Sequence, residues 1–166
     1  FFARYSAFPR SVEGLRAAGE WHELRRLLPP FAGKRVLDLG CGFGWHCRYA
    51  AEQGAARVVG LDLSEKMLAR ARRETTDPRI AYVRGAMEDL EAPPGSFDVV
   101  LSSLTLHYVE DLEPVFRRIF AALVPGGDFV FSCEHPVFTA EGAQEWCRNE
   151  AGRNLHWPVD HYFSEG

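Results

Sequence analysis

Three closely spaced glycines are the first residues whose types and spacing could do chemistry. Gly40, Gly42 and Gly44 follow the apolar run "VLDL" in the segment "VLDLGCGFGW". Glycines between a strand and a helix leave backbone N–H groups and the helix N-terminus open to a ligand, because no Cβ stands in the way. We therefore predict a ligand-binding loop here rather than a simple tight turn.

Two carboxylates accompany this loop and restrict what it can hold. Asp38 lies inside the apolar run, and Asp62 ends the next apolar run, 22 residues after Gly40. A carboxylate in the place of Asp62 can accept hydrogen bonds from both hydroxyls of a ribose, so the pattern indicates a nucleoside. The chain has no GxxxxGK[ST] segment, which excludes a P-loop. Dinucleotide binding stays open, although Gly44 comes one residue too early for the GxGxxG pattern.

Two histidines follow the last two predicted strands. His107 lies in "LTLHYVED" and His135 in "SCEHP". Open parallel α/β sheets bind their ligands at the carboxyl ends of the strands. Since a neutral imidazole near pH 7 suits a general base, both histidines are candidate catalytic residues. A structural or substrate-shaping role is the alternative for each.

Short runs rich in β-branched and aromatic residues predict the strands that would position these groups. They alternate with helical patterns, which predicts a parallel sheet covered by helices on both faces. The predicted strands are Arg35–Gly40, Arg57–Leu63, Ile80–Gly85, Phe97–Ser103 and Asp128–Glu134. The predicted helices are Trp45–Gly54, Ser64–Glu74 and Leu112–Leu123, preceded by one or two N-terminal helices within Arg10–Leu28.

Composition and charge describe one globular domain and limit its partners. The 166 residues are 46% hydrophobic and carry a formal net charge of −4, which argues against binding to nucleic-acid phosphates. No apolar run reaches the roughly 20 residues of a membrane helix, and the start lacks signal-peptide features. We expect a cytoplasmic protein with a small-molecule partner and no membrane association. The four cysteines form no CxxC pair, which favours reduced thiols, and no metal is expected, although Cys133 with His135 leaves a zinc site open.

The order of the motifs resembles class I S-adenosylmethionine (SAM) dependent methyltransferases, most of all the small-molecule methyltransferase type 11 group. The resemblance covers roughly Lys34 to Val137 and rests on "VLDLGCGFG", "GLDLSEKMLARAR", "GAMEDL", "FDVVLSSLTLHYVEDL" and "LVPGGDFVFS". It implies a Rossmann-like three-layer αβα sandwich with a parallel sheet in the order 3-2-1-4-5. It also implies SAM as cofactor, S-adenosylhomocysteine as product and a small-molecule methyl acceptor. A NAD(P)-dependent oxidoreductase and a non-catalytic SAM-binding module are the alternatives.

The same resemblance assigns cofactor-binding roles. The loop residues Gly40, Cys41 and Gly42 would contact the methionine part of SAM, Asp62 the ribose and Leu63 the adenine. Six further residues complete the predicted cofactor site: Asp38, Met67, Met87, Glu88, Ser102 and Ser103.

Ala86 stands where many members of the family carry an acid that accepts the adenine amino group. We therefore expect the backbone around Met87 and the side chain of Glu88 to take that role. Ser102 and Ser103 would lie beside the methionine carboxylate and the sulfonium, unless their hydroxyls only satisfy their own strand end.

Three segments follow from this assignment. We expect residues 1–33 to form a helical cap or lid, residues 34–135 the SAM-binding core, and residues 136–166 an aromatic-rich loop or lid on the substrate side. The resembled fold has seven strands, but no β-rich pair follows "DFVFSCE". We therefore expect strands 6 and 7 of that fold to be absent from this chain and the full-length protein to continue beyond Gly166. The alternative is that a partner chain or the tail itself takes the place of the missing strand.

Overall fold

A computed structural model of the chain describes residues 7–138 and 145–159. The chain divides into two compact units, Phe1–Ser132 and Cys133–Gly166. No described helix combines the length and the apolar character that a membrane span needs.

Five parallel strands form the sheet of the first unit. Their order is β3-β2-β1-β4-β5, which confirms the predicted topology. This order reverses between β1 and β4, and open α/β sheets bind ligands at such a point, outside the carboxyl ends of the strands. The strands are β1 (Arg35–Leu39), β2 (Arg57–Asp62), β3 (Ile80–Arg84), β4 (Phe97–Ser103) and β5 (Leu123–Ser132).

Strand β5 starts earlier than the sequence predicted. The strand begins at Leu123 rather than Asp128 and runs through the Pro-Gly-Gly turn. Phe97 of β4 pairs with Leu123 and Val99 pairs with Asp128, so the register shifts across the turn and then resumes. The turn residues indicated a break, but the hydrogen-bonded partner strand accommodates them as an irregularity within one strand.

Helices cover both faces of the sheet. Helices α3 (Trp45–Glu52) and α4 (Glu65–Arg73) pack on one face, and α5 (Leu112–Ala122) packs on the other. The side chains of β1 alternate between the two faces, with Val36 in the first core and Leu37 in the second. Side chains cap the N-termini of α4 and α5, since Ser64 Oγ accepts from Met67 N (3.4 Å) and Asp111 Oδ1 accepts from Glu113 N (3.1 Å). The three-layer sandwich is confirmed.

The N-terminal segment, defined here as residues 9–27, contains two short helices. These are α1 (Pro9–Val12) and α2 (Trp21–Leu27), separated by a 3₁₀ turn at Gly14–Ala17. Gly14 has a φ of 76°, and a Cβ there would lie 2.7 Å from Cζ3 of Trp45. The missing side chain therefore lets the segment pack closely on the start of α3.

The second unit contains a hairpin that the sequence pattern did not indicate. Strands β6 (Cys147–Arg148) and β7 (Asn154–His156) pair antiparallel in a separate sheet. Strands of two and three residues are too short to produce a recognisable alternation. Among the described residues after Ser132, none joins the five-stranded sheet. The hairpin β6–β7 is thus separate from the sixth and seventh strands of the resembled fold, which were expected to be absent.

Candidate functional site

The carboxylate of Asp62 joins the glycine loop to the end of β2. Its Oδ2 accepts from the backbone N–H of Gly42 and its Oδ1 from that of Ser64, both at 2.8 Å. The N–H groups of Gly40 and Cys41 both donate to the carbonyl of Leu61, at 2.8 and 3.0 Å. The loop that follows β1 is therefore clamped against the carboxyl end of β2, and the acidic group predicted to bind ribose lies directly beside it.

Close contacts with other side chains require glycine at two of the three loop positions. Gly40 and Gly44 have φ angles of 72° and 74°. A Cβ on Gly40 would lie 2.7 Å from Cβ of Thr105, and one on Gly44 would lie 2.7 Å from Cζ of Tyr82. Gly42 shares the left-handed backbone, with a φ of 54°. The glycines thus serve a tightly packed turn as well as a predicted ligand surface.

A buried carboxyl group lies beneath the loop. Asp38 is 1% exposed, and the thiol of Cys47 donates to its Oδ2 at 3.2 Å. Burial raises the pKa of Asp38 to about 7, the Cys47 hydrogen bond lowers it, and the charge of Asp62 raises it. The thiols of Cys41 and Cys47 lie 2.9 and 2.8 Å from the position that a Cβ on Gly60 would take. A cationic ligand group near the loop would favour the charged form of Asp38.

The predicted adenine-binding residues lie at the ends of β2 and β3. Leu63 follows Asp62 directly and is 65% exposed, whereas Met67 in α4 is only 4% exposed. Met87 and Glu88 lie in a 3₁₀ turn, Met87–Asp89, just after β3. Because β2 and β3 are neighbours, the structure brings Leu63 and this turn to the same edge of the sheet.

The two serines at the end of β4 have different surroundings. Ser102 is fully buried and shares a 2.7 Å hydrogen bond with the hydroxyl of Thr105. Its Oγ also lies 3.3 Å from the carbonyl of Leu39, the last residue of β1. Ser103 Oγ instead donates to Oε1 of Glu20 at 3.3 Å. Sequence reasoning missed both residues: Thr105 lies in the motif "FDVVLSSLTLHYVEDL" but was given no role, and Glu20 stands in no recognised motif.

The two candidate general bases lie in different units. His107 is exposed in the 3₁₀ turn Leu106–Tyr108, in the same unit as the glycine loop, with its ring centroid 4.4 Å from that of Tyr108. His135 is exposed in the second unit, where its Nδ1 accepts from the N–H of Val137 at 3.2 Å. A catalytic role for either histidine stays a prediction.

The N-terminal segment packs beside the glycine loop. Arg70 of α4 donates to the carbonyl of Ser11 at 2.8 Å, and Trp21 lies with its ring centroid 5.5 Å from that of His46 in the first turn of α3. Burial, together with the charge of Arg10, lowers the pKa of His46 to about 3. His46 is therefore neutral in the folded protein at physiological pH.

Two buried polar groups in this region lack partners. Ser11 Oγ and Trp45 Nε1 have no hydrogen-bond partner among the described residues. Burying an unsatisfied donor costs about 1–3 kcal/mol, so such groups indicate a missing acceptor. Trp45 follows Gly44 directly, and Ser11 is held by Arg70 of the neighbouring helix. These donors, together with the carboxylates of Asp38 and Asp62, fit a ligand with hydroxyl, cationic and anionic groups, as SAM has.

The buried groups predict a pH dependence of stability. The folded-state pKa of Asp38 is about 7 instead of the ordinary 3.8, so between pH 4.5 and 6.5 the folded state binds more protons and stability falls as the pH rises. The folded-state pKa of His46 is about 3 instead of 6.5, so stability rises with pH in the same window. We expect the two effects to offset each other. In Asp38→Asn only the effect of His46 remains, so the free energy of unfolding should rise with pH by up to about 1.4 kcal/mol per pH unit.

Urea unfolding at pH 4.5, 5.5 and 6.5 measures this difference. Glu52→Gln, which changes an exposed carboxyl at the end of α3, is the control, and its stability should depend on pH as that of the unsubstituted chain does. If the free energy of unfolding depends on pH in the same way for the unsubstituted chain and for Asp38→Asn, the assignment of a raised pKa to Asp38 is contradicted.

Comparison with known proteins identifies the family. The family model "Methyltransferase domain" matches residues 37–131. An uncharacterised Haemophilus influenzae protein is 35% identical over 100% of this chain and 68% of its own length. The malonyl-[acyl-carrier protein] O-methyltransferase of Pectobacterium atrosepticum is 33% identical over 85% of this chain and 54% of its own. Phosphoethanolamine N-methyltransferase 1 of Arabidopsis thaliana is 33% identical over 88% of this chain, which spans only 30% of that enzyme.

Solved structures agree with this match. A candidate SAM-dependent methyltransferase from Listeria monocytogenes is 56% identical, with a TM-score of 0.82 over 89% of this chain and 69% of that one. A SAM-dependent methyltransferase from Mesorhizobium loti is 52% identical, with a TM-score of 0.82 over 92% and 69%. Phosphoethanolamine N-methyltransferase 2 of Haemonchus contortus, solved with SAM, is 29% identical, with a TM-score of 0.63 over 80% and 35%. The chain therefore belongs to the methyltransferase domain family and is a SAM-dependent methyltransferase.

Proposed function

We propose that this domain transfers a methyl group from SAM to a small-molecule acceptor, with the cofactor held along the carboxyl ends of β2, β1 and β4. The observation that carries this placement is the carboxylate of Asp62, which lies at the end of β2 and accepts from the loop N–H of Gly42 at 2.8 Å. A carboxylate oxygen has more than one acceptor position, so Asp62 can hold the loop and the ribose hydroxyls together.

Each part of the cofactor has residues suited to it. Leu63 and the turn that contains Met87 and Glu88 would hold the adenine at the ends of β2 and β3. The residues Gly40–Gly42 would contact the methionine part, above the buried carboxyl of Asp38. The bound sulfonium supplies a methyl group that is already activated. The main task of the protein is then to orient the acceptor, and orientation alone can contribute several kcal/mol.

A small acceptor is favoured by charge and by the relatives. The chain has 19 basic and 23 acidic residues, which does not suit a nucleic-acid backbone. The named relatives are an O-methyltransferase for malonyl-[acyl-carrier protein] and an N-methyltransferase for phosphoethanolamine. The same domain thus serves acceptors with different nucleophilic atoms in those enzymes, and we infer a related acceptor for this chain.

The direct test is methyl transfer by the purified chain. Mass spectrometry of the bound small molecule should identify SAM or S-adenosylhomocysteine. A screen of acceptors with methyl-labelled SAM should then find a labelled product among amines, hydroxyls and acyl compounds. Binding of SAM without transfer to any acceptor would contradict the proposed reaction and support a SAM-binding module instead.

His107 is expected to act as a base if the acceptor arrives protonated. General-base catalysis contributes about a hundredfold or more, so His107→Ala should lower kcat by that factor while SAM affinity stays unchanged. The effect should shrink at high pH, where the acceptor loses its proton without help. Steady-state kinetics with the labelled acceptor measure both quantities. His22→Ala, which removes a histidine that is 76% exposed in α2, is the control. Equal kcat values for the His107 variant and the parent would exclude this role, and His135→Ala is then tested in the same way.

A further inference from the structure

An ion pair within the N-terminal segment has no role in the site described so far. Nη2 of Arg10 lies 3.1 Å from Oε1 of Glu20, and the two side chains are 22% and 23% exposed. Both residues lie outside residues 37–131, so the pair lies outside the part of the chain that the family model matches.

The contacts of this pair place it near the end of β4 and the start of α3. Glu20 Oε1 also accepts from Oγ of Ser103, the last residue of β4, at 3.3 Å. Ser103 Oγ in turn accepts from Ser132 Oγ, at the end of β5, at 3.2 Å. On the other side, the charge of Arg10 acts on His46, two residues after Gly44. The pair thus lies beside the point where the sheet order reverses between β1 and β4.

A cofactor that lies across the glycine loop also extends to the end of β4. This step rests on the proposed function, in which Asp62 at the end of β2 binds the ribose. Since β1 lies between β2 and β4, a ligand that extends from Asp62 across the glycine loop reaches the end of β4. The part of SAM beyond its sulfonium is an amino acid, with one carboxylate and one ammonium group.

We propose that Arg10 and Glu20 bind this amino-acid end, the guanidinium of Arg10 taking the carboxylate and the carboxylate of Glu20 taking the ammonium. The two side chains exchange their mutual ion pair for the two opposite charges of the ligand. Each charge keeps an opposite charge beside it, whereas an unpaired charge in a partly buried site would be costly. A guanidinium is also suited to a carboxylate because it can donate two parallel hydrogen bonds.

Two further donors support an anionic group at this place. Ser11 follows Arg10 in α1, and its buried hydroxyl has no partner among the residues that the structure describes. The same holds for Nε1 of Trp45, which precedes His46. A carboxylate held by Arg10 would bring acceptor oxygens to a region where buried donors lack them.

Calorimetry with two ligands tests this assignment on the full chain. S-adenosylhomocysteine carries the amino-acid end, whereas 5′-methylthioadenosine has the same nucleoside and a thioether but no carboxylate or ammonium. Arg10→Gln and Glu20→Gln should each weaken S-adenosylhomocysteine binding at least tenfold and change methylthioadenosine binding less than twofold. Equal losses for both ligands, or no loss for either, would overturn the proposal.

Controls separate ligand binding from folding. Arg16→Gln and Glu13→Gln change exposed charges in the same segment and should leave both affinities unchanged. The swapped variant Arg10→Glu/Glu20→Arg can still form an ion pair, so recovery of S-adenosylhomocysteine binding there would show a purely structural role. If Arg10→Gln does not fold, Arg10→Lys takes its place, because lysine keeps the charge but cannot donate two parallel hydrogen bonds. This variant should lose affinity for S-adenosylhomocysteine and keep its affinity for methylthioadenosine.

Failure of this inference can be told apart from failure of the proposed site. Asp62→Asn should weaken both ligands, because both contain the ribose. If it does so while the Arg10 and Glu20 variants bind normally, the cofactor site stands and only the assignment of the ion pair is wrong. If Asp62→Asn binds both ligands normally, the placement of the cofactor itself is wrong.

Discussion

Replacing Asp62 with alanine should weaken SAM binding by at least tenfold. The carboxylate accepts from Gly42 N and Ser64 N at 2.8 Å each, and it is the group that we assign to the ribose hydroxyls. Hydrogen bonds to a charged acceptor contribute roughly 1.5–3 kcal/mol each, and about 1.4 kcal/mol corresponds to a tenfold change in affinity. Isothermal titration calorimetry on the folded variant measures the loss directly.

Two further variants sharpen this result. Asp62→Asn keeps one carbonyl acceptor for the loop or the ribose, so its affinity should lie between those of the parent and Asp62→Ala. Glu52→Gln changes an exposed carboxyl in α3 and should bind SAM normally. An unchanged affinity in a folded Asp62→Ala protein would show that the cofactor does not lie at the end of β2.

Replacing Gly44 with alanine should destabilise the fold by about 2–5 kcal/mol. A left-handed backbone, here with a φ of 74°, costs a residue with a side chain roughly 1–2 kcal/mol. The new Cβ would also lie 2.7 Å from Cζ of Tyr82, whose hydroxyl shares a 2.9 Å hydrogen bond with Oγ1 of Thr75. Overpacking of this kind adds about 1–3 kcal/mol. Urea unfolding monitored by circular dichroism measures the loss.

A matched glycine separates the two contributions. Gly126 has a φ of 77°, close to that of Gly44, but nothing lies within 4 Å of the position that its Cβ would take. Gly126→Ala should therefore show only the backbone cost of about 1–2 kcal/mol. If the two variants lose the same stability, the contact with Tyr82 is not what requires glycine at position 44.

The sequence alone was sufficient for the local elements and for the functional class. Strands β1 to β4 were predicted to within one residue at each end, because short runs rich in β-branched and aromatic residues, bounded by turn residues, depend only on neighbours in the chain. The glycine loop and Asp62 were recognised from their spacing, and the order of the motifs indicated both the sheet order and SAM, since each motif belongs to one strand end.

Only the tertiary structure decided which groups meet at those strand ends. Glu20 contacts Ser103 across 83 residues of sequence, and Gly44 is packed against Tyr82 of β3, contacts that no local pattern encodes. The raised pKa of Asp38 likewise comes from burial under α3, which the sequence does not show. Strand β5 starts early because pairing with β4 outweighs the local preference of its turn. Local periodicity determines elements, whereas contacts, burial and charge in the site depend on segments that are far apart in the chain.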